Sequence, residues 1–335
     1  MSDLLKVVAA APFNAETLLA EQAGAITPSE RHYVRNHFAV PDHSGVLAID
    51  GLVRQPLTLT LDGLRARPSR SAVVTLECAG NGRQFLDPAV RGEQWGLGAV
   101  GTAEWTGVPL DDLVAEAGPL PEAVELLFAG ADSGTPGGQP GPIDFERSLP
   151  LDRLPGALVA YAMNGEPLPP DHGAPFRLVV PGWYGMASVK WLARITAIPE
   201  PFRGFFQADR YVVDDEPIGP ILPRALIVSP ADGAELGHGE HLVRGYAWGG
   251  TGGIGRVDVS VDGGGSWQPA TIEEPASEFA WSPWRFPWRP AAGGKSVLSA
   301  RATDRAGNRQ PLEQNWNALG YMNNAVRPVE VSAKG

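Results

Sequence analysis

The chain has 335 residues, 43% of them hydrophobic and 19% charged, a balance expected of a soluble globular protein with one large or two medium domains. Its formal charge of −11 excludes general nucleic-acid binding, and its single cysteine excludes any disulfide within the chain. No apolar run approaches the roughly 20 residues of a membrane span, and the start, MSDLLKVVAAAPFNAETLLAEQ, lacks the basic lead-in of a signal peptide, so a cytoplasmic protein is expected. The 41 glycines and 32 prolines predict many turns and few long helices. AETLLAEQ (15–22) reads as a helix, and GVLAIDGLV (45–53), LTLTL (57–61) and VVTLE (73–77) read as strands. PLDDLVAEAG (109–118) predicts a helix, with proline at its start, acids in its first turn and glycine at its end. VELLFAG (124–130), FRLVVPG (176–182) and VKWLARITAI (189–198) are further strands, and strands broken by isolated helices point to an α+β class. VDDEPIGPILPRALIVSP (213–230) reads as a proline-spaced linker. Beyond it, LVRGYAW (242–248), RVDVSVDGGGSW (256–267) and SVLSARATDRAGN (296–308) alternate at period two between glycine-rich turns, the pattern of a two-sheet sandwich. Six of the ten tryptophans fall in that stretch, where core and interface packing accounts for most of them.

Three stretches combine ionisable residues with glycine or a thiol. RHYVRNHFAVP (31–41) offers Arg31, His32, Arg35 and His37, and VTLECAGNGR (74–83) holds Cys78 and Arg83. DHGAPFRLVVPGWYGMASVKW (171–191) adds His172, Arg177 and Lys190. Singly, each such His or Arg is more commonly an exposed or structural group, and a lone cysteine often serves as a small buried filler. Together they fit an anion site, in which basic side chains and exposed glycine amides receive phosphate oxygens against an otherwise acidic background. A thiolate beside such charge suits a soft metal. No GxxxxGK[ST] and no GxGxxG between a strand and a helix is present, and the paired ligand spacing of structural zinc is missing. A Cys–His hydrolase stays open, with no orienting Asn or Asp singled out by the sequence.

YVRNHFAVP, TLECAGNGR, QWGLGAVGTAEWTGVPL, AYAMNGEPLPPDHGAPFRLVVPG, VKWL and RGYAWGG…RVDVSVDGGGSW, in this order, resemble the sulfite oxidase family of molybdenum enzymes from about residue 27 to the end. The resemblance implies a molybdopterin-binding catalytic domain of the α+β sulfite-oxidase fold over residues 1–215 and an all-β immunoglobulin-like dimerisation domain over 216–335. It implies that Cys78 ligates molybdenum beside the pterin dithiolene, and that Tyr33, Arg35 and His37 wrap the cofactor. Asp132, His172, Arg177, Ser188, Val189 and Lys190 match the groups that hold the pterin and its phosphate. Arg35 and Arg83 then face the open side of the metal, with Trp95 and Tyr211 closing the substrate pocket. The implied reaction is oxygen-atom transfer to sulfite or a related small anion, with electrons leaving singly to an external acceptor such as a cytochrome. No heme is expected, since no CxxCH occurs. The chain departs from the family in two places: Gly82–Arg83 replaces an arginine pair, and WNALG puts Leu319 where WNLRG has a substrate-facing arginine. A pocket with one cation fewer should hold a dianion less tightly. The same centre run in reverse would reduce an oxyanion or S-oxide. A non-catalytic immunoglobulin-like binding protein is the alternative of another class, against which Cys78, His172, Arg177 and Lys190 speak.

Overall fold

Strands β1 (Leu5–Ala10) and β2 (Phe13–Thr17) open the computed structural model, which describes residues 4–22, 24–154 and 156–334, as an antiparallel hairpin. The expected helix over 15–22 is therefore not formed: Ala15–Thr17 belong to β2, and only a 3-10 turn at Leu19–Glu21 is helical. Tertiary hydrogen bonds outweigh the helix propensity of Ala, Glu and Leu here. The buried Glu16 carboxylate accepts from Gly96 N at 2.6 Å and Gly98 N at 3.0 Å, and Thr17 Oγ1 donates to Val100 O at 2.8 Å.

The next elements are β3 (Val46–Gly51), β4 (Leu57–Thr60), the short helix α1 (Leu61–Arg65), β5 (Arg70–Glu77), β6 (Val100–Pro109) and α2 (Leu110–Ala117). They continue with β7 (Glu125–Gly134), β8 (Ile143–Pro150), β9 (Leu158–Met163), β10 (Glu166–Pro167), β11 (Arg177–Val179) and β12 (Leu192–Ile198). One sheet runs β10-β9-β6-β5 with β11 also on β9; the other runs β4-β3-β12-β7-β8, in which only β3 and β12 pair in parallel. Helix α2 forms where expected, with Asp111 and Asp112 in its first turn and Gly118 left-handed at its end, and it buries Leu110, Leu113 and Ala117. Strands β6 and β9 carry no alternating signal because nearly every residue along them is buried or half-buried, so period-two contrast is absent.

After α3 (Phe205–Ala208) comes a small hairpin of β13 (Val212–Val213) and β14 (Glu216–Pro217), whose turn residues Asp214 and Asp215 both have positive φ. The sequence-based division at 215/216 falls inside this turn. The expected linker to residue 230 is overturned in its second half, because β15 (Arg224–Ser229) is a buried strand paired with β17 (His241–Trp248). Pro223 and Pro230 bracket that strand; they mark its ends rather than a free connection.

The remaining strands are β16 (Ala234–Leu236), β18 (Ile254–Ser260), β19 (Gln268–Pro269), β20 (Thr271–Ile272), β21 (Ser282–Trp288), β22 (Lys295–Asp304) and β23 (Val329–Ala333). Together with β15 and β17 they build two sheets, β15-β17-β21-β20 and β16-β23-β22-β18-β19. Val243, Val257, Val259, Trp284 and Leu298 fill the space between them. Leu226, Tyr246, Trp248 and Trp281 instead join the apolar cluster of the first unit, beside residues such as Leu47 and Phe128. The architecture is thus an α+β unit dominated by strands, followed by an immunoglobulin-like sandwich. Among the described residues no helix is long and apolar enough to cross a membrane.

Candidate active site and cofactor cleft

β5 ends at Glu77 and delivers Cys78 into a tight loop. Cys78 N donates to Ala99 O at 2.9 Å, Gly82 N to Gly96 O at 2.6 Å and Arg83 N to Gly80 O at 3.0 Å. Two glycines make the loop feasible. A Cβ on Gly80 would stand 2.7 Å from the Arg83 guanidinium, and Gly82 sits at φ +85°. Cys78 is 6% exposed. Burial pushes its thiol pKa up, and the charges of Arg35 and Arg83 pull against that rise.

The sulfur lines a cavity. Arg35, His37 and Tyr211 share it with Cys78. The His37 ring packs on Phe145 and Phe206, and burial first, then the Arg35 charge, holds its pKa well below the usual histidine value. Arg35 Nη2 lies 3.0 Å from His37 Nδ1 and 3.2 Å from His37 Nε2, and His37 Nε2 lies 2.6 Å from Tyr211 Oη. A neutral ring that accepts from Arg35 at Nδ1 carries its proton on Nε2 and donates it to Tyr211 Oη. The Tyr211 hydroxyl hydrogen is then left free for whatever occupies the cavity.

A set of basic side chains lines the same cavity: His172, Arg177 and Lys190, with Ser188 and Asp132. Arg177 donates to His172 O at 3.0 Å, Ser188 O at 2.8 Å and Leu178 O at 3.3 Å, over the Trp105 ring. Lys190 Nζ donates to Asp171 O at 2.9 Å and to Asn36 Oδ1. Burial lowers the pKa of Lys190 well below the usual lysine value, with Arg177 adding to the fall and Asp132 and Asp171 opposing it. Asp132, also buried, is raised to about 7, and Lys190 opposes the rise. All three are depressed by desolvation, and His172 and Lys190 also by their basic neighbours, the condition an anion would relieve.

Two cavity-lining atoms lack partners among the described residues: His32 Nε2 and Asp132 Oδ1 are buried without a hydrogen bond. Orphaned polar atoms at a wall call for hydrogen-bonding groups on an occupant. Among the described residues no group of three or more His, Cys, Asp or Glu could hold a metal ion, so a metal at Cys78 needs ligands from a non-protein group. A pterin whose dithiolene holds a soft metal and which carries a phosphate tail would meet each of these demands: the metal as partner for the thiolate, hydrogen-bonding edges for the orphans and an anion for the basic side chains.

Eleven of the residues singled out from sequence line this one cavity: His32, Tyr33, Arg35, His37, Cys78, Asp132, His172, Arg177, Ser188, Lys190 and Tyr211. Four others stand elsewhere. Arg83 is wedged behind the loop, donating to Glu93 O at 3.0 Å and Leu319 O at 3.1 Å, with Tyr321 under its guanidinium. Trp95 is fully buried in the apolar cluster that holds Tyr33, Leu76 and Cys78. Val189 points its side chain into the main core. Arg31 forms a surface pair with Glu21 at 2.6 Å, away from the cavity. Sequence reasoning missed Asn36 and Asp171, which hold Lys190, and Glu93, whose carboxylate lies 3.5 Å from Arg35 Nη2. Asn36 sits between two named residues and was findable; a lone Glu in a loop gives no signal.

A family model described as the oxidoreductase molybdopterin binding domain matches residues 37–206, and one described as the Mo-co oxidoreductase dimerisation domain matches 221–334. The chain is 38% identical to the mitochondrial sulfite oxidase of Macaca fascicularis over 98% of its own length and 65% of that protein's. It is 33% identical to an NADH nitrate reductase of Solanum lycopersicum, over 98% of this chain and 41% of that one. Its fold superposes on the sulfane dehydrogenase SoxCD from Paracoccus pantotrophus with a TM-score of 0.84 at 30% identity, covering 96% of this chain and 84% of that chain. The chain thus spans about two thirds of the mitochondrial relative, at 65%.

Proposed function

Since the chain belongs to the sulfite oxidase family of molybdopterin-dependent oxidoreductases, we propose that it oxidises sulfite or a related small sulfur compound or oxyanion, passing electrons to an external carrier such as a cytochrome. One observation carries this reading: the chain's single thiol shares a cavity with Arg35, Arg177, Lys190 and His172 and with two polar atoms unpartnered among the described residues. The molybdenum cofactor, when bound, supplies two-electron oxygen-atom transfer. Cys78 is the protein's ligand to the metal. His172, Arg177 and Lys190 hold the phosphate, Asp132 and His32 hydrogen-bond the pterin, and Tyr33 and Ser188 wall it in, with Val189 contributing backbone only. Arg35 and Arg83 provide positive charge near the sulfur, Tyr211 offers its hydroxyl hydrogen to the substrate, and neutral His37 fixes that hydroxyl. Trp95 backs the cysteine loop from beneath.

The charge available to a substrate is modest. Glu93 stands 3.5 Å from Arg35 and offsets part of its charge, and position 319 supplies only a carbonyl, to Arg83. A second reading, reduction of an oxyanion, draws on the same Leu319 and on the likeness to a nitrate reductase. Assays in both directions with artificial electron donors and acceptors separate the two. The second domain, over 216–335, is read as the contact of a homodimer, which light scattering at micromolar concentration would test; the division at 215/216 lies between the two matched ranges.

Protein from a host that makes molybdopterin should carry about one molybdenum per chain. Cys78→Ser should keep the fold and abolish turnover. A metal-free wild type from such a host, or a fully active Cys78→Ser variant, overturns the assignment.

A further inference from the structure

The strand that leads into Cys78 has one edge in its own sheet and the other against the second domain. β5 is the terminal strand of the order β10-β9-β6-β5. Along its free side, Thr75 N donates to Phe279 O at 2.9 Å, Trp281 N to Thr75 Oγ1 at 2.7 Å, and Ser277 Oγ to Val73 O. One residue before the cysteine, Glu77 is a carboxylate with no solvent exposure. Arg224 Nε lies 3.2 Å from its Oε1, and Trp248 Nε1 donates to its Oε2 at 2.8 Å. Arg224, itself 2% exposed, reaches onward through Nη2 to Asn81 O at 3.3 Å and to Asn323 O. Asn323 Nδ2 donates to Gly82 O at 2.9 Å, and Met322 N to Ala79 O at 2.8 Å. Within the first unit the segment 77–82 is held by Asn81 Nδ2 to Glu77 Oε1 at 2.9 Å, Ala99 N to Asn81 Oδ1 at 3.2 Å and Gly82 N to Gly96 O; from beyond position 215 it is held at Glu77, Ala79, Asn81 and Gly82.

A buried ion pair is a weak source of net stability, because desolvation offsets most of the attraction; what it does impose is a fixed geometry. Here the fixed object is the loop that presents the thiol. We propose that Arg224 and Trp248 are positioning residues for Cys78: by gripping Glu77 they set the depth and aim of its sulfur in the cavity, so that the second domain completes the metal-ligating loop. This rests on Cys78 being the metal ligand. The sandwich is then part of the redox site, and any shift of the sandwich against β5 reaches the metal through Glu77.

The single cysteine makes a clean probe. Trp248→Phe keeps a ring in place and deletes the indole N–H; Arg224→Met deletes the charge and keeps much of the volume. In full-length protein made without cofactor, Cys78 should react with iodoacetamide about tenfold faster in Trp248→Phe than in wild type, the factor that one lost charged hydrogen bond corresponds to. Each variant leaves the buried Glu77 carboxylate short of a partner, so the thermal midpoint should fall, and alkylation rates are compared well below it. In molybdenum-loaded protein the thiolate-to-metal absorption band should shift in both variants, and Arg224→Lys should restore it in part. Should Arg224→Met fail to fold, Trp248→Phe still decides the matter. Folded variants with the wild-type alkylation rate and the wild-type band overturn the proposal. A wild type that takes up no molybdenum overturns the ligand reading instead, and the alkylation comparison is unaffected by that failure.

Discussion

Arg177 and Lys190 both line the cavity, yet their bonding differs, and the difference separates fold from cofactor affinity. All three contacts of Arg177 go to backbone carbonyls of the walls, at His172, Leu178 and Ser188. Arg177→Met should therefore lower cofactor content and also cost the cofactor-free protein about 3 kcal/mol or more, since buried charged hydrogen bonds are lost. Lys190 is instead held in a site that burial and Arg177 make hostile to its charge. Lys190→Met should leave cofactor-free stability within about 1 kcal/mol of wild type while molybdenum content falls sharply. Urea denaturation and metal analysis of both variants check this; equal losses of stability, or full metal content in Lys190→Met, would refute it. Position 319 makes the substrate side testable in the same way. Its carbonyl bonds Arg83, so a guanidinium introduced there enters the neighbourhood of the existing cations. The unmodified protein should oxidise sulfite with a weak, salt-sensitive KM. Leu319→Arg should tighten it by about 1.5–3 kcal/mol, the range of a charged hydrogen bond. An unchanged KM would show that position 319 does not reach substrate.

The N-terminal hairpin shows where element-level reading stops working. AETLLAEQ has helix-forming composition, but β2 is chosen by partners far along the chain: the Gly96 and Gly98 amides for Glu16, and Val100 O for Thr17. Nothing within a short window reveals those partners. β15 was hidden for a related reason, since its bracketing prolines look like linker punctuation until its pairing with β17 is known. By contrast α2 carries its own start and stop signals, and the sandwich strands carry their own alternation; both were legible. The Glu16 contacts predict an asymmetry between its neighbours. Glu16→Gln turns an acceptor into a donor facing a glycine N–H and should cost about 1.5–3 kcal/mol. Lys6→Ala removes only a half-exposed partner at 3.4 Å and should cost less than about 1 kcal/mol. Urea unfolding measures both; comparable small losses would show that the Gly96–Gly98 turn does not depend on the carboxylate.

At the scale of the whole molecule, the motifs in order revealed two domains and most of the cavity wall, but not how the domains share material. Trp248, Trp281 and Tyr321 lie beyond residue 215 and still belong to the first unit's apolar cluster, a long-range arrangement that local pattern cannot encode. The same burial gives the molecule a pH signature. His32 is lowered to about 4 chiefly by burial, and His37 and His172 are held well below the usual histidine value for the same reason. All three are neutral in the folded chain at neutral pH. Because their folded pKa values lie below the unfolded value, the unfolded chain binds more protons as pH falls through about 6.5, and stability is lost from there downward. Each contributes a slope of about 1.4 kcal/mol per pH unit. Asp132 works the other way: raised to about 7, it favours the fold as pH falls below that value. Lys190, held well below the usual lysine value, works with the histidines, and Glu146, raised by burial, works with Asp132; the histidines and Lys190 outnumber the two carboxyls, and stability falls below about pH 6.5. A bound phosphate would raise the pKa of His172 and Lys190 and flatten this slope. Urea denaturation of cofactor-free and molybdenum-loaded protein, stepped from about pH 7 to about pH 5, should show a steep acid loss in the first and a shallower one in the second. Identical slopes would mean that the occupant's anion does not sit against His172.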